Sequence, residues 1–324
     1  VLAFILRRLA GMVAVLAVTA TLLFCLMKAA PGDPARLIAG ARADPEIIAR
    51  VRAEWHLDEP AIVQYGWWMG RLLRGELPLS YRQHRNVAEI LANKVVATVV
   101  LAITSIAAAI VLGVAAGIVA AMRHGTWVDA AMMTLALIGI STPVFWLGLM
   151  FILLFASKLG WLPTAGYGDS GFYIPGLYPP NFQPLPEWNR LVLPSLSLAL
   201  LSTGYFARMT RSSLLEVIRQ DYIRTAQAKG LPRRVVVLRH AMRNALIPVV
   251  TIVGISFASL LGGAVATEAV FAWPGLGREL LQAVNQRDYP VVMGGVLGIA
   301  TVFVAVNLLV DVSYAFIDPR IRHE

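Results

Sequence analysis

Residues Arg208 to Arg243 read RMTRSSLLEVIRQDYIRTAQAKGLPRRVVVLRHAMR, a basic helix-turn-helix stretch between long apolar segments that lack charge. Its nine basic residues are Arg208, Arg211, Arg219, Arg224, Lys229, Arg233, Arg234, Arg239 and Arg243. They face only Glu216 and Asp221, so this stretch holds +7 of the chain's net +9. Leu214, Leu215, Ile218 and Tyr222 make a helical stripe, and Gly230 stands where a left-handed cap wants glycine. Pro232 then suits the first turn of a second helix with the stripe Leu238, Ala241, Met242 and Ala245. Ser213 and Glu216 have capping-box spacing, although the preceding helix could equally run on unbroken. Two readings of the tip at Ala226 to Arg234 stay open: an amphipathic pair on anionic lipid, or a lever for a soluble partner.

The flanks fix the class. Of 324 residues, 58% are hydrophobic and 15% charged, with a mean hydropathy of +0.68. That charge is too sparse to cover a soluble globule, which implies a polytopic, all-α membrane protein. The basic pI therefore reports topology, and no groove-reading or base-stacking motif points to nucleic acid. The single cysteine, Cys25, lies in an apolar run and excludes an internal disulfide.

Six spans are expected. Leu9 to Met27 follows Arg7 and Arg8 and exceeds a signal h-region, with no Ala-x-Ala pattern after it. The others are Val95 to Met122, Ala130 to Ser157, Leu191 to Ala207, Asn244 to Thr267 and Val291 to Val310. Gly113 and Gly117 permit close helix approach in the second span. Ser141-Thr142-Pro143 should kink the third, for packing or to line a pathway. The chain is thus divided into 1–30, with the N-terminus and first span; 31–94, external; 95–317, the core, with the loop 208–243; and 318–324, a tail. In 31–94, Asp44-Pro45 opens an amphipathic helix with Ile47, Ile48, Val51 and Trp55, and Ile62, Tyr65, Met69 and Leu72 or Leu73 form a second stripe. Trp67 and Trp68 suit a membrane interface. This segment reads as a cap on the bundle, a contact for a soluble partner, or both. Fourteen basic residues fall on the side of the termini and the loop, against Lys158, Arg190, Arg278 and Arg287 in the short opposite loops, so termini and loop are expected in the cytoplasm.

Several chemistries lack their motifs. No phosphate-cradling G-x-x-x-x-G-K-[ST], Rossmann fingerprint or G-x-S-x-G elbow occurs, and His56, His84, His124, His240 and His323 have no ligand spacing. Glu268 and Asp311 sit at span ends, where helix-end positions explain them without proton coupling.

DYIRTAQAKGLPRRVVVLRHAMRNALIPVV, from Asp221, resembles the cytoplasmic loop of inner-membrane permeases of binding-protein-dependent ABC importers, in the dipeptide, oligopeptide and nickel branch. Further similar segments follow in order: PGDP from Pro31, LDEPAIVQYGWWMGRLLRGEL from Leu57, STPVFWLGLMFILLFASKLGWLP from Ser141, ATEAVFAWPGLGREL from Ala266, RDYPVV from Arg287 and DPRIR from Asp318. The large segment after the first span is similar to that of the B-type subunit. Against the general Glu-Ala-Ala-x-x-x-Gly pattern the chain has Arg224, Thr225 and Ala226 before Gly230, and a longer interval to Ile247-Pro248.

The resemblance implies a type I ABC permease fold in a bacterial or archaeal inner membrane. The chain would pair with a related permease subunit in a heterodimer, two cytoplasmic ATPase subunits binding ATP and Mg, and an external solute-binding protein. It would hold no cofactor or metal and hydrolyse nothing itself. Asp221, Thr225, Ala226, Ala228, Lys229, Gly230 and Leu231 would couple to the ATPases. Trp55, Tyr65, Arg71 and Arg74 would meet the binding protein, and Ser141, Thr142, Pro143 and Glu268 would line the pore. Dipeptides or oligopeptides are the implied solutes, with nickel complexes or glutathione as alternatives. A secondary transporter should show an inverted repeat and mid-membrane carboxylates, and a surface scaffold should bind anionic vesicles without an ATPase.

Overall fold

The computed structural model describes residues 2–29, 33, 35–36, 44–54, 56–168 and 186–317; Trp55, most of PGDP and the tail 318–324 lie outside them. The helices are α1 Leu2–Ala29, α2 Pro45–Glu54, α3 Ala61–Leu73, α4 Val87–Met122, α5 Trp127–Ser141 and α6 Val144–Phe151, which passes into the π-helical π1 Ile152–Lys158. Then come α7 Trp188–Val217, α8 Asp221–Ala228, the short α9 Arg233–Val235, the π-helical π2 Val236–Ala241, α10 Met242–Ala245, α11 Ile247–Val270, α12 Leu276–Gln286 and α13 Tyr289–Ile317. No strand occurs among the described residues. Four helices are long and apolar enough to cross a membrane, or six when α5 with α6–π1 and the 233–254 pair each count as one span.

Three boundaries differ from the sequence expectation. The second span starts at Val87, not Val95, because Asn86 Oδ1 accepts the Ala88 N–H at 2.8 Å and caps an earlier start. At 36 residues α4 is about 54 Å long and overruns a hydrocarbon core of about 30 Å. The fourth span does not stop at Ala207: α7 continues through Ser213 and Glu216, so these two cap nothing. The third span is broken, not merely kinked. Proline has no N–H, Thr142 adopts an extended ψ of 131°, and α5 meets α6–π1 at 106°.

The chain divides into two compact units, with α4 and α13 shared between them: Leu2–Val96 with Gly275–Val302, and Ala97–Pro274 with the chain from Phe303. In the second of these, α7 is the inner helix. Over half of its apolar stretch is buried, against 11% of that of α1. Missing side chains allow this. A Cβ on Gly113 or Gly117 of α4 would lie 2.6 Å from Phe206 Cβ or Ala207 O, and one on Gly204 of α7 would overlap Ala136 O of α5. Glycine lets these backbones touch, and the sequence signal in Gly113 and Gly117 is explained by α7. Pro194, which has no N–H to donate, lies inside α7 near its start, and beside it Ser195 Oγ pairs with Thr104 Oγ1 at 2.8 Å.

Helix α11 ends in a tight cap: Ala272 N–H donates to Ala269 O at 3.4 Å and Trp273 N–H to Glu268 O at 2.9 Å. This places Ala272 at φ +49°, in the left-handed region usually held by glycine. The fully buried Trp273 holds it there, its indole N–H donating to Ala97 O at 3.0 Å.

In the unit built on α1, a buried core of Val87, Ile90, Leu91, Leu276, Ala283 and Val291 joins α4, α12 and α13. Helix α12 was absent from the sequence expectation, although Leu276, Leu280, Ala283 and Val284 have helical spacing. After it, buried Asp288 accepts bonds from Ser80 Oγ and from the Tyr81 and Arg82 N–H groups, at 3.2 and 3.3 Å. Gln83 Nε2 donates to Glu279 Oε1 at 2.9 Å, and Lys94 Nζ is 3.6 Å from Glu279 Oε2. Burial pushes the Tyr81 hydroxyl pKa up, and the nearby Asp288 and Tyr289 add to the shift. At the other end of the segment, the Arg52 guanidinium, 2.7 Å from Asp33, holds that carboxyl below its ordinary range.

Two substitutions test this packing. Gly117→Leu should lower thermal stability in detergent by about 1–3 kcal/mol through overpacking, while Gly11→Leu, which meets nothing within 4 Å, should not. Ala272→Gly should raise stability by about 1 kcal/mol by removing left-handed strain, read as a higher melting temperature.

Candidate functional site

Helix α8 is a short bar at the end of the unit that contains α7. Ile223 and Ala226 point inward and are buried with Leu214 of α7, Ala121 of α4, Val236, Val237 and Ala241 of π2, and Met242 and Ala245 of α10. The four-residue spacing from Val237 to Ala241 suits an ordinary helix; the wider π turn also brings Val236 onto the buried face. Asn244 Nδ2 donates to Tyr222 OH at 2.8 Å and ties α8 to α10 on the outer side. At the far end Gly230 N–H donates to Gln227 O at 2.9 Å, and Gly230 has φ +76° with open space where a Cβ would stand. The glycine is needed for its backbone angle, not for room. Pro232 caps α9 from outside, one position before the expected first turn.

The sequence-derived coupling residues therefore split. Asp221, Thr225, Ala228, Lys229 and Gly230 are exposed, and Leu231 is on the open side. Ala226 is not: it belongs to the seat under α8 and offers no free face, because its position three residues after Ile223 puts it on the same inner stripe.

An ion-pair cluster braces the same unit. Arg211 of α7 reaches Asp129 of α5 with two bonds, Nε to Oδ1 at 2.6 Å and Nη2 to Oδ2 at 2.7 Å. Asp129 Oδ2 also accepts the Gly125 N–H at 3.1 Å and lies 3.1 Å from His124 Nδ1. The paired, nearly buried carboxylate pins the α4–α5 turn to the part of α7 that leads into α8. No local pattern marked this pair, whose members are 82 positions apart.

The remaining predicted residues are scattered. Tyr65 is turned onto α1, with its OH 2.8 Å from Thr21 Oγ1 and its ring 5.3 Å from Phe24. Arg71 lies over the Trp67 ring at 4.9 Å and 3.3 Å from Glu76 Oε2, whereas Arg74 is exposed. Tyr65 and Arg71 thus each make contacts within their own unit and are half-buried; Trp55 is outside the described residues. Ser141 and Pro143 are exposed and Thr142 is half-buried at the α5–α6 break. Glu268 is fully enclosed and accepts a short bond from Thr98 Oγ1, so it does not border an open surface of this chain. It stands in the last turn of α11, the helix-end position expected, and there makes an interior polar contact. Among the described residues no group of three or more His, Cys, Asp or Glu could hold a metal ion.

Membrane-length apolar helices, with a seated, solvent-exposed bar after one of them, define an integral membrane protein. Residues 113–323 match the family described as the binding-protein-dependent transport system inner membrane component, and residues 1–104 match the N-terminal membrane component of such systems. The chain belongs to this family of transport-system permeases. It is 45% identical over 322 residues to a putative peptide transport system permease protein of Brucella abortus (strain 2308), covering 99% of each chain. It is 42% identical over 335 residues to a dipeptide transport system permease protein of Alkalihalophilus pseudofirmus, covering 99% of this chain and all of the relative. A glutathione transport system permease protein of Salmonella typhimurium is 44% identical over 321 residues, with 99% of each covered.

Arg211→Ala should leave Asp129 with only the Gly125 N–H and His124 and so loosen the brace between α5 and α7. Hydrogen exchange should then rise in the Arg123 to Asp129 turn and in α8, and stay unchanged in the Ser80 to Gln83 loop of the other unit.

Proposed function

We propose that the chain is the pore-forming permease subunit of an ATP-driven importer of dipeptides or oligopeptides. The observation that carries this reading is likeness to peptide and dipeptide permeases along nearly the whole chain, joined to a seated bar whose outer face is exposed. Glutathione is the second reading, favoured by a similarly close and equally complete match. In this proposal the termini and the bar lie in the cytoplasm, where basic residues accumulate. A related permease subunit completes the pore, and an external binding protein delivers the solute. Two ATPase subunits grip the exposed side of α8 and supply all the hydrolysis.

The seat explains how such a grip would act. Force on Tyr222, Thr225 or Lys229 passes through Ile223 and Ala226 to the ends of α4, α7 and α10 together, since all share one buried cluster. A packed cluster moves as a body, so closure of the ATPases becomes a shift of several spans. The exposed Arg82 to Arg85 loop held by Asp288, together with Arg74, is the proposed contact for the binding protein within Asp44 to Arg85. Ser141, Thr142 and Pro143 at the broken span are the proposed pore residues, because a helix break exposes backbone that only a polar path or protein can satisfy.

The test is purification in mild detergent followed by reconstitution. Two ATPases and a second permease should copurify, and labelled peptide should enter vesicles only with ATP and the binding protein. Uptake by this chain alone, driven by an ion gradient, would overturn the proposal. Within the complex, Gly230→Val should insert normally yet lose most peptide uptake per ATP hydrolysed, because a β-branched residue costs about 1–2 kcal/mol in a left-handed cap. Gly230→Asn, which tolerates that angle, should retain most of it.

A further inference from the structure

Helix α3 leaves one whole face bare. At 100° per residue, Tyr65, Trp68 and Leu72 share one side, while Ile62, Val63, Gly66, Gly70 and Leu73 occupy the other. Ile62 is 75% exposed and Leu73 82%, and a Cβ on Gly66 or Gly70 would meet nothing within 4 Å. The outward face carries no polar side chain. Arg71, the single charged residue of the helix, stands at its flank over Trp67. Water does not favour such a face, and α3 is not held there by a neighbouring helix on that side.

What α3 does touch decides the occupant. Its inner side is bonded to α1 through Tyr65 and Thr21, and through the Phe24 ring against Tyr65 and Trp68, 5.3 and 5.9 Å between centroids. Thr21 and Phe24 precede the end of α1 at Ala29 by eight and five residues, or about 12 and 7.5 Å along the axis. Helix α1 is an apolar span whose other sides are also bare, with Val18, Leu22 and Leu26 exposed around these contacts. The bare face of α3 therefore continues the bare surface of α1 at the depth where hydrocarbon gives way to headgroups. Tryptophans and a flanking arginine are the side chains suited to that depth.

We infer that α3 is an interfacial helix, laid in the outer rim of the bilayer beside α1 with Ile62, Val63 and Leu73 among the acyl chains. Its ligand is the lipid surface, and Tyr65 and Thr21 are the pin that sets its depth. The inference rests on α1 crossing the membrane and is independent of which solute is carried. It also divides the external segment: α3 serves the membrane, and the loop after it remains free for another protein.

The test uses the assembled full-length transporter in lipid nanodiscs. In a Cys25→Ser background, Ile62→Cys, Leu73→Cys and Glu59→Cys are each labelled with a polarity-sensitive fluorophore. The expected result is blue-shifted emission at positions 62 and 73, quenched several-fold more by lipids brominated near the headgroup than by aqueous iodide, with the reverse order at position 59. Iodide quenching at 62 and 73 equal to that at 59 would overturn the inference, since the face would then be in water. Protection from both quenchers would overturn it too, because protein, not lipid, would be covering the face.

Discussion

Close backbone approach around α7 is the constraint on which this architecture depends. A long helix can leave the membrane and carry a bar at its tip only if its lower turns are held rigidly, and side-chain packing between apolar helices in lipid gives little drive beyond contact itself. Glycine at 113, 117 and 204 turns crossing helices into touching backbones, so contact is gained along the length of α7. Charge is added near the end of this contact: the Arg211–Asp129 pair clamps α7 to the start of α5 before α7 ends at Val217. Above that clamp the apolar cluster under α8 continues the same body.

The two units use polar bonds differently. In the unit of α7, the fully buried Glu268 and Trp273 side chains reach back to α4 and fasten the end of α11. In the unit of α1, Asp288 gathers a loop by accepting its N–H groups, which orders a surface instead of an interior. Both devices satisfy groups that burial would otherwise penalise. Glu268 sits in the last turn of α11, and Asp288 stands between the end of α12 and the start of α13.

Much of this was legible in the sequence, and the failures have physical causes. Apolar run length revealed the spans, and Gly230 announced its left-handed turn, because both signals are local. Span ends were misplaced at Val87 and Val217 because a helix does not stop where hydrophobicity stops; Asn86 caps one start, and nothing between Ala207 and Val217 breaks the other. Ala226 was read as part of the tip because small residues near a turn suit a contact, but its register with Ile223 puts it beneath the bar. Tyr65 is bonded to Thr21, a pairing no single stretch announces. The same holds for Arg211 with Asp129 and for Asp288 with Ser80.

The π-helical turn at Val236 to Ala241 bears on how such a loop can change in length. A π turn carries one more residue per revolution than an α turn, so it stores a surplus residue as girth. The rod formed by α9, π2 and α10, from Arg233 to Ala245, can thus lengthen in sequence without twisting Met242 and Ala245 away from the cluster they fill. An ordinary helix given one extra residue would swing everything beyond it by more than a quarter turn. Here the phase of the rod is preserved, and the distance from Gly230 to Pro248 can vary while both ends keep facing the same way.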